Sequence, residues 1–389
     1  MENKYLNRDA KYFAEKNATD TACEIANQPA TWRKLADYLE ANKEEITSFM
    51  ARIGDIPNLR IMLTGAGSSA FIGESMSMLL ANELGLASEA VHSTDIVAAP
   101  KATLLNVPTA LISYSRSGES PESVGVLQYA GKRIDELFNI VFVCKDNSSV
   151  ANTAKGLSDT LVLNMPPESC DLGFAMTASV SCMALATWCV FDYKNLSEKI
   201  AKIRQIADIA ESEMDRLDQA ALEIAQWTFD RIIYIGSGTL KGLAHEASIK
   251  MMELTAGVVH SGWDAPTGFR HGPKSVINDT TVTVHLLSTE QFTRRYDDCL
   301  AREVMGERKG NKVICVSPSF EECRGADAEV LYPDNGVACG EIYSYIMGLI
   351  FVQLLAMEKA IIQGNNVDSP SAGGEVNRVV KGVEVYELD

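Results

Sequence analysis

Two stretches of this 389-residue sequence gather hydroxyls, glycines and backbone donors in a way that could hold an anion. In the first, the apolar run Leu59–Leu63 leads into Gly65-Ala66-Gly67-Ser68-Ser69-Ala70 and then into a helical pattern. The spelling G-x-G-x-x-A is that of a dinucleotide-binding turn, but such a site also needs an acid closing the second strand about 20 residues on. Glu89 and Asp95 are the candidates, and neither ends a convincing strand. In the second stretch, Ala110-Leu111-Ile112-Ser113 is followed by Tyr114-Ser115-Arg116-Ser117-Gly118-Glu119-Ser120-Pro121-Glu122. Pro121 suits the first turn of a helix, and Glu122 suits its positive end. Three hydroxyls and a glycine beside a helix N-terminus are chemistry for one phosphate group, through hydroxyl donors, free N–H groups and the helix dipole. For either loop alone, a tight turn with a helix cap explains the residues equally well. Together, at the carboxyl ends of parallel strands, they point to one ligand position that includes Ser68 and Ser69.

A third set of residues could move protons. Glu246, Lys250 and Glu253 recur at helical spacings of four and three, which places them along one face of a helix. On an exposed helix such a row is a solvated face with weak ion pairs. Here Ala247, Ile249, Met251, Met252 and Leu254 surround it, so part of the helix is expected to be buried, and a buried charge needs a reason. Among the five histidines, His285 lies in the apolar pattern TVTVHLL and reads as a core residue, while His92, His245 and His260 have no telling context. His271 sits in Gly268-Phe269-Arg270-His271-Gly272-Pro273-Lys274, a stiff turn that would fix an imidazole; a surface-loop histidine is the alternative. Metal-ligand spacings are absent, and so is a G-x-S-x-G elbow between strand and helix. Proton transfer with no metal and no organic cofactor fits this inventory.

The elements that must carry these residues alternate between strand and helix. Leu59–Leu63, Thr109–Ser113, Ile140–Cys144 and Thr160–Leu163 are short apolar or β-branched runs with helical patterns between them, as a parallel sheet requires. Leu196–Gln226 reads as a long connecting helix, and then the series restarts. Arg231–Ile235 feeds Gly236-Ser237-Gly238 as Leu59–Leu63 feeds Gly65-Ala66-Gly67, Thr281–Leu287 and Lys312–Val316 repeat the next strands, and Glu341–Ala360 repeats the apolar helix of Phe174–Tyr193. Four matched elements at an offset of about 170 residues indicate a duplicated α/β domain.

Composition narrows the function classes. Lys plus Arg number 35 against 52 Asp plus Glu, a net charge of −17, so nucleic acid and anionic membranes are not expected partners. Nine cysteines without C-x-x-C spacing read as free thiols in a reducing, cytoplasmic compartment. The start MENKYLNRDAKYF has no apolar stretch, so a secretory leader is not expected. Phe174 to Phe191 carries no charge, which touches the lower limit for a membrane span, but its Ser and Thr residues favour a buried core or interface helix.

Here the sequence resembles a known family. TGAGSSAF followed by SYSRSGESPES is similar to the sugar isomerase (SIS) domain, and YIGSGTLKGLAHEASIKMMELT, GFRHGPKS and NNVDSPSAGGEVNRVVKGVEV are similar to the second SIS domain of glucosamine-6-phosphate synthase. Over roughly residues 50–389 the chain most resembles the AgaS group of galactosamine-6-phosphate deaminases and tagatose-6-phosphate ketose/aldose isomerases. The resemblance implies two tandem SIS domains, each a doubly wound parallel sheet in a three-layer α/β/α arrangement. They would span residues 51–200 and 201–389, after an N-terminal helical arm at residues 1–50. It implies that Ser69, Ser115, Ser117 and Ser120, with Gly67, Ser68 and Arg116 in the same loops, bind the sugar phosphate. It makes Glu253 the proton-transferring carboxylate, Lys250 a nearby active-site lysine, and Lys381 a C-terminal lysine near the sugar carbonyl. It makes His271 a ring-opening acid/base reaching the neighbouring subunit's site, hence a homodimer or larger homo-oligomer. The implied activity is conversion of galactosamine 6-phosphate to tagatose 6-phosphate with loss of ammonia. A plain ketose/aldose isomerase and a non-catalytic sugar-phosphate sensor are the rivals, and residues 1–50 show no basic recognition helix of the kind regulators carry. The synthase needs a glutaminase domain with an N-terminal cysteine nucleophile. The first cysteine here is Cys23, within the polar arm, so the reaction is expected to run toward ammonia release.

Overall fold

A computed structural model describes residues 4–318, 324–333, 335–337, 339–371, 373–374, 376–380 and 382–388. The chain forms two compact units. One comprises residues 30–171, 178–204 and 373–389, and the other residues 1–29, 172–177 and 205–372. Each is built on its own parallel sheet, so they are called the first-sheet and second-sheet units.

The first sheet contains β1 (Arg60–Thr64), β2 (Ser88–Ala90), β3 (Thr109–Ser115), β4 (Leu137–Val143) and β5 (Thr160–Asn164), in the spatial order β2-β1-β3-β4-β5. All neighbours run parallel, with Thr64 opposite Ser113 and Ser115 opposite Val143. Alternate residues serve opposite faces, as a pleated strand demands. Met62, Leu111, Val141 and Val143 pack with Val126, Leu127, Ala130 and Val150 of the helices Pro121–Arg133 and Ser149–Lys155. On the other face Leu63 meets Gly73 of helix Ser68–Leu84, and the Tyr114 hydroxyl bonds Thr187 of helix Ala178–Phe191 at 3.0 Å. With both faces covered, the inner strands β1, β3 and β4 are buried nearly throughout and read as continuous runs rather than alternating ones. Helix Ala178–Phe191, the charge-free stretch of the sequence, is buried along its whole length, as a core helix should be.

The second sheet repeats the plan with β6 (Arg231–Gly236), β7 (His260–Asp264), β8 (Thr281–Leu286), β9 (Lys312–Ser317) and β10 (Ala328–Leu331). Its order is β7-β6-β8-β9-β10, again all parallel. Numbered from its own first strand, this is the order of the first sheet, so the duplication extends to topology. Helix Gln291–Gly306 covers one face through Leu300, Ala301 and Val304, against Ile233, Ile235, Val313 and Cys315. Helix Thr239–Leu254 and helix Glu341–Gln363 pack together elsewhere in the unit, where Gly348 lets Leu243 and Leu286 approach. Glu341–Gln363 is long and apolar enough to cross a membrane, but 94% of its apolar window is buried inside the protein. The expected helix Leu196–Gln226 runs from Leu196 to Ala225.

Candidate active site

In the first sheet the strand order reverses between β1 and β3, and ligands of open parallel sheets bind at the carboxyl ends on either side of such a reversal. Both hydroxyl-rich loops lie there. A Cβ on Gly65 would fall 2.6 Å from the Ser69 backbone, and Gly67 has φ +56°, so the turn from β1 into helix Ser68–Leu84 is available only to glycine at these two places. It brings Ser68 and Ser69, both buried, to the helix start. After β3, Gly118 takes φ +67°, and a Cβ there would lie 2.1 Å from Ser148 Oγ. The Gly118 N–H donates to Ser115 Oγ (3.1 Å) and the Glu119 N–H to Ser117 Oγ (3.2 Å). A hydroxyl that accepts one bond still has its proton to donate, which is what an anion requires. Ser120 is the N-cap of helix Pro121–Arg133 but makes no side-chain cap bond, and Pro121 has no N–H to cap.

Arg116 faces the C-terminal segment. Its buried guanidinium donates to the Arg378 carbonyl at 3.0 Å, and Arg378 in turn bonds the Asp171 carbonyl. Beyond it Val385 lies over Gly125, and the Tyr129 hydroxyl bonds the Tyr386 carbonyl. Lys381 lies outside the described residues.

Sequence reasoning passed over three further hydroxyls near these loops. Thr64, Ser93 and Ser113 are buried, and their hydroxyls have no hydrogen-bond partner among the described residues. Thr64 and Ser113 stand opposite each other at the ends of β1 and β3, and the Ser93 N–H bonds the Gly65 carbonyl at 2.8 Å. A hydroxyl closing an apolar strand at the reversal is the signal that could have found two of them. His92, next to Ser93, pairs with Glu74 at 2.8 Å, and this contact raises its pKa. The two residues are far enough apart in sequence that no spacing rule links them.

The proton-transfer candidates belong to the second-sheet unit, on helix Thr239–Leu254. Lys250 is 1% exposed, with Nζ 2.6 Å from Glu253 and 3.5 Å from Glu246. Glu246 is equally buried, whereas the Glu253 side chain is 26% exposed. The helix therefore holds a dry ammonium between two carboxylates, and of the three only Glu253 reaches solvent. Removing a lysine from water is costly unless it is paired closely, and this geometry supplies the pairing.

His271 follows the short helix Pro266–Phe269, with its N–H on the Gly268 carbonyl at 2.8 Å. Its side chain is exposed and makes no hydrogen bond to Lys250 or Glu253. Gly272 carries the chain through φ +130°. The turn is tied to helix Gln291–Gly306 on both sides of the histidine, because Glu303 accepts from Arg270 at 2.8 Å and from Lys274. Those contacts, Lys274 first, hold the Glu303 carboxyl below the usual range. His285 is the core residue its strand pattern suggests. Its Nε2 lies 3.1 Å from Thr283 Oγ1, and burial pushes its pKa down to about 3, so the ring is neutral. Among the described residues no group of three His, Cys, Asp or Glu side chains is placed to hold a metal.

Residues 57–191, which contain the whole of the hydroxyl-rich cradle, match the SIS domain. Along nearly its full length the chain is similar to D-galactosamine-6-phosphate deaminase AgaS of Shewanella sp. strain ANA-3, at 36% identity over 97% of this chain and 94% of that one. The chain belongs to the AgaS branch of the SIS-domain proteins. The crystal structure of tagatose-6-phosphate ketose/aldose isomerase from Escherichia coli superposes on this SIS-domain protein with a TM-score of 0.87 and 31% identity, covering 95% of this chain and 96% of that one. A more distant likeness, 24% identity over 89% of the chain, is to glutamine–fructose-6-phosphate aminotransferase of Thermococcus kodakarensis, of which it covers 56%. The tandem parallel-sheet architecture read from the repeated strand pattern is therefore that of the family.

Proposed function

We propose that this SIS-domain protein is an enzyme that converts galactosamine 6-phosphate and water to tagatose 6-phosphate and ammonia. The observation that carries the reading is the full-length likeness to relatives named D-galactosamine-6-phosphate deaminase, in a chain that also presents a buried lysine gripping a solvent-reaching carboxylate. Ser69, Ser115, Ser117 and Ser120, with the backbone of Gly67 and Ser68, bind the phosphate dianion. Arg116 keeps the C-terminal segment against this loop.

Glu253 carries the proton step, with Lys250 holding its carboxylate at 2.6 Å. In the open-chain aldosamine, Glu253 takes the proton from C2, the C2–H electron pair forms the C1–C2 double bond, and the carbonyl oxygen gains a proton. Return of a proton to C1 gives an imine at C2. Water adds to that carbon, the C–N bond breaks, and ammonia leaves with the ketose carbonyl in its place, so no oxidant or reductant is needed. His271 opens the ring beforehand by taking the C1 hydroxyl proton and protonating the ring oxygen, since an imidazole can do both near neutrality. Its exposed position in its own chain suits service at a neighbouring copy, which makes the enzyme a homodimer or larger homo-oligomer. The free thiols among the described cysteines support a cytoplasmic setting.

The deciding assay measures ammonia and ketose release across a panel of sugar 6-phosphates. Stoichiometric ammonia and tagatose 6-phosphate from galactosamine 6-phosphate are expected. The likeness to tagatose-6-phosphate ketose/aldose isomerase supports a second reading. It would prevail if neutral hexose 6-phosphates interconvert while amino sugars stay untouched.

A further inference from the structure

The second-sheet unit repeats the backbone of the phosphate cradle and then fills it. Gly236 closes β6 and Gly238 follows it, in the places that Gly65 and Gly67 take after β1. A Cβ on Gly236 would fall 2.2 Å from the Leu240 carbonyl oxygen, and one on Gly65 2.8 Å from that of Ser69. Gly238 has φ +52°, ψ −125°, and Gly67 φ +56°, ψ −132°. β8 then leads through Leu287–Glu290 into helix Gln291–Gly306, as β3 leads through Arg116–Ser120 into helix Pro121–Arg133.

What differs is where the donors go. In the first-sheet unit the Ser115 and Ser117 hydroxyls keep their protons, and Ser120 caps nothing with its side chain. In the second, a carboxylate reaches into the same space. Counted from the start of each helix, the position of the core residue Leu127 is taken by Asp297, which is 1% exposed. One Asp297 oxygen accepts the Ser237 hydroxyl from the β6 turn, and the other accepts the Ser288 N–H from the β8 loop at 2.9 Å. Glu290 takes the helix N–H groups of Phe292 (2.9 Å) and Thr293 (2.7 Å), and Glu341 takes the Ser288 hydroxyl. Arg294 stands at the same loop, with Nη1 3.0 Å from Ser317 Oγ and Nε 2.7 Å from Asp298. Burial raises the Asp297 pKa to about 6, in spite of the hydrogen bonds from Ser237 and Ser288.

We propose that Asp297 is a built-in surrogate for a phosphate. It closes the second cradle, so the chain has one phosphate-binding cradle rather than two, and neutralising it uncovers a latent site for a phosphate dianion between Ser237, Ser288 and Arg294. The inference rests on the phosphate reading of the first cradle, and the test separates the two.

Equilibrium dialysis of the full chain with inorganic phosphate counts the sites. Wild type is expected to take up one equivalent, which the Ser115→Ala/Ser117→Ala pair loses. In that paired background Asp297→Asn, and Asp297→Leu, which installs the first unit's residue, should each restore one weaker equivalent, while Asp297→Glu should not. Thermal melts by circular dichroism identify variants that remain folded. Two equivalents in wild type overturn the inference, and so does a folded Asp297→Asn variant that gains none over its parent. Retention of the wild-type equivalent by the serine pair rejects the phosphate reading of the first cradle instead. The Asp297 variants are still judged by whether they gain an equivalent.

Discussion

At the residue scale, two hydroxyls of the first cradle, those of Ser115 and Ser117, have two jobs that substitutions can separate. Ser115 Oγ and Ser117 Oγ accept backbone N–H groups of their own loop, and their protons remain for the ligand. A hydrogen bond to a charged group is worth about 1.5–3 kcal/mol, so Ser69→Ala, Ser115→Ala and Ser117→Ala should each raise KM roughly ten- to hundred-fold. Unchanged KM in all three would reject the cradle. Glu253→Gln keeps the shape and removes the base, so kcat should fall about 10²–10⁴-fold with the fold intact. Solvent-deuterium exchange at the substrate carbon tests it directly, and full exchange by the variant would remove Glu253 from the proton step. Lys250→Met should behave differently, because it takes away the ammonium that buried Glu246 and Glu253 share. Breaking a buried pair costs about 3–5 kcal/mol, so urea unfolding should show that loss whether or not activity survives. Lys250 was recognisable from its apolar neighbours. Asp297 was not, since an acid on a helix rich in Arg and Asp looks solvated until the fold brings Ser237 and Ser288 to it.

Elements were legible where a strand is a run of apolar or β-branched residues, buried on both faces in the inner strands and on alternate residues in the edge strand Thr160–Asn164. Thr109–Ser115, Thr160–Asn164, Arg231–Gly236 and Lys312–Ser317 fall within a residue or two of the apolar runs that announce them. Three of the four outer strands, Ser88–Ala90, His260–Asp264 and Ala328–Leu331, were invisible, because they are short and at least half polar or small, and pairing alone makes them strands. Neither could the sequence reveal that the HGP turn is held by Glu303, which becomes a neighbour only when helix Gln291–Gly306 packs. That tie yields a prediction at the same scale. Glu303→Gln removes the charge that Arg270 and Lys274 share and leaves Lys274 its pair with Glu307 at 2.7 Å, so the turn loosens and His271 is held less firmly. His271→Asn should slow turnover of the ring-closed sugar far more than that of an already open analogue. Glu303→Gln should show the same selectivity in weaker form, and the two changes together should cost little more than His271→Asn alone. Additive losses would mean that Glu303 acts only on stability.

At the scale of the whole molecule, two sheets with one strand order indicate a duplication whose halves have diverged in charge placement rather than in backbone. The divergence leaves buried titratable groups whose signs oppose one another, and these shape stability against pH. His285 titrates near 3 in the folded chain against 6.5 for an exposed imidazole, so an unfolded chain binds its proton first and stability is lost as pH falls below 6.5. Asp297 is raised by burial to about 6, and Asp218 to about 7, likewise by burial, although Arg8 pulls it down. For these two the folded chain binds the proton first, so stability grows as pH falls from 7 toward 3.8, where unfolded carboxyls also protonate. Two carboxyls outweigh one imidazole between about pH 6 and 4, and below that range the imidazole acts without opposition. Urea melts at stepped pH should therefore show stability rising gently from neutrality and then falling. His285→Leu should steepen the rise by about 1.4 kcal/mol per pH unit and remove part of the fall, whatever it costs at pH 7. Parallel pH profiles for variant and wild type would show that the imidazole is not excluded from protonation in the folded chain.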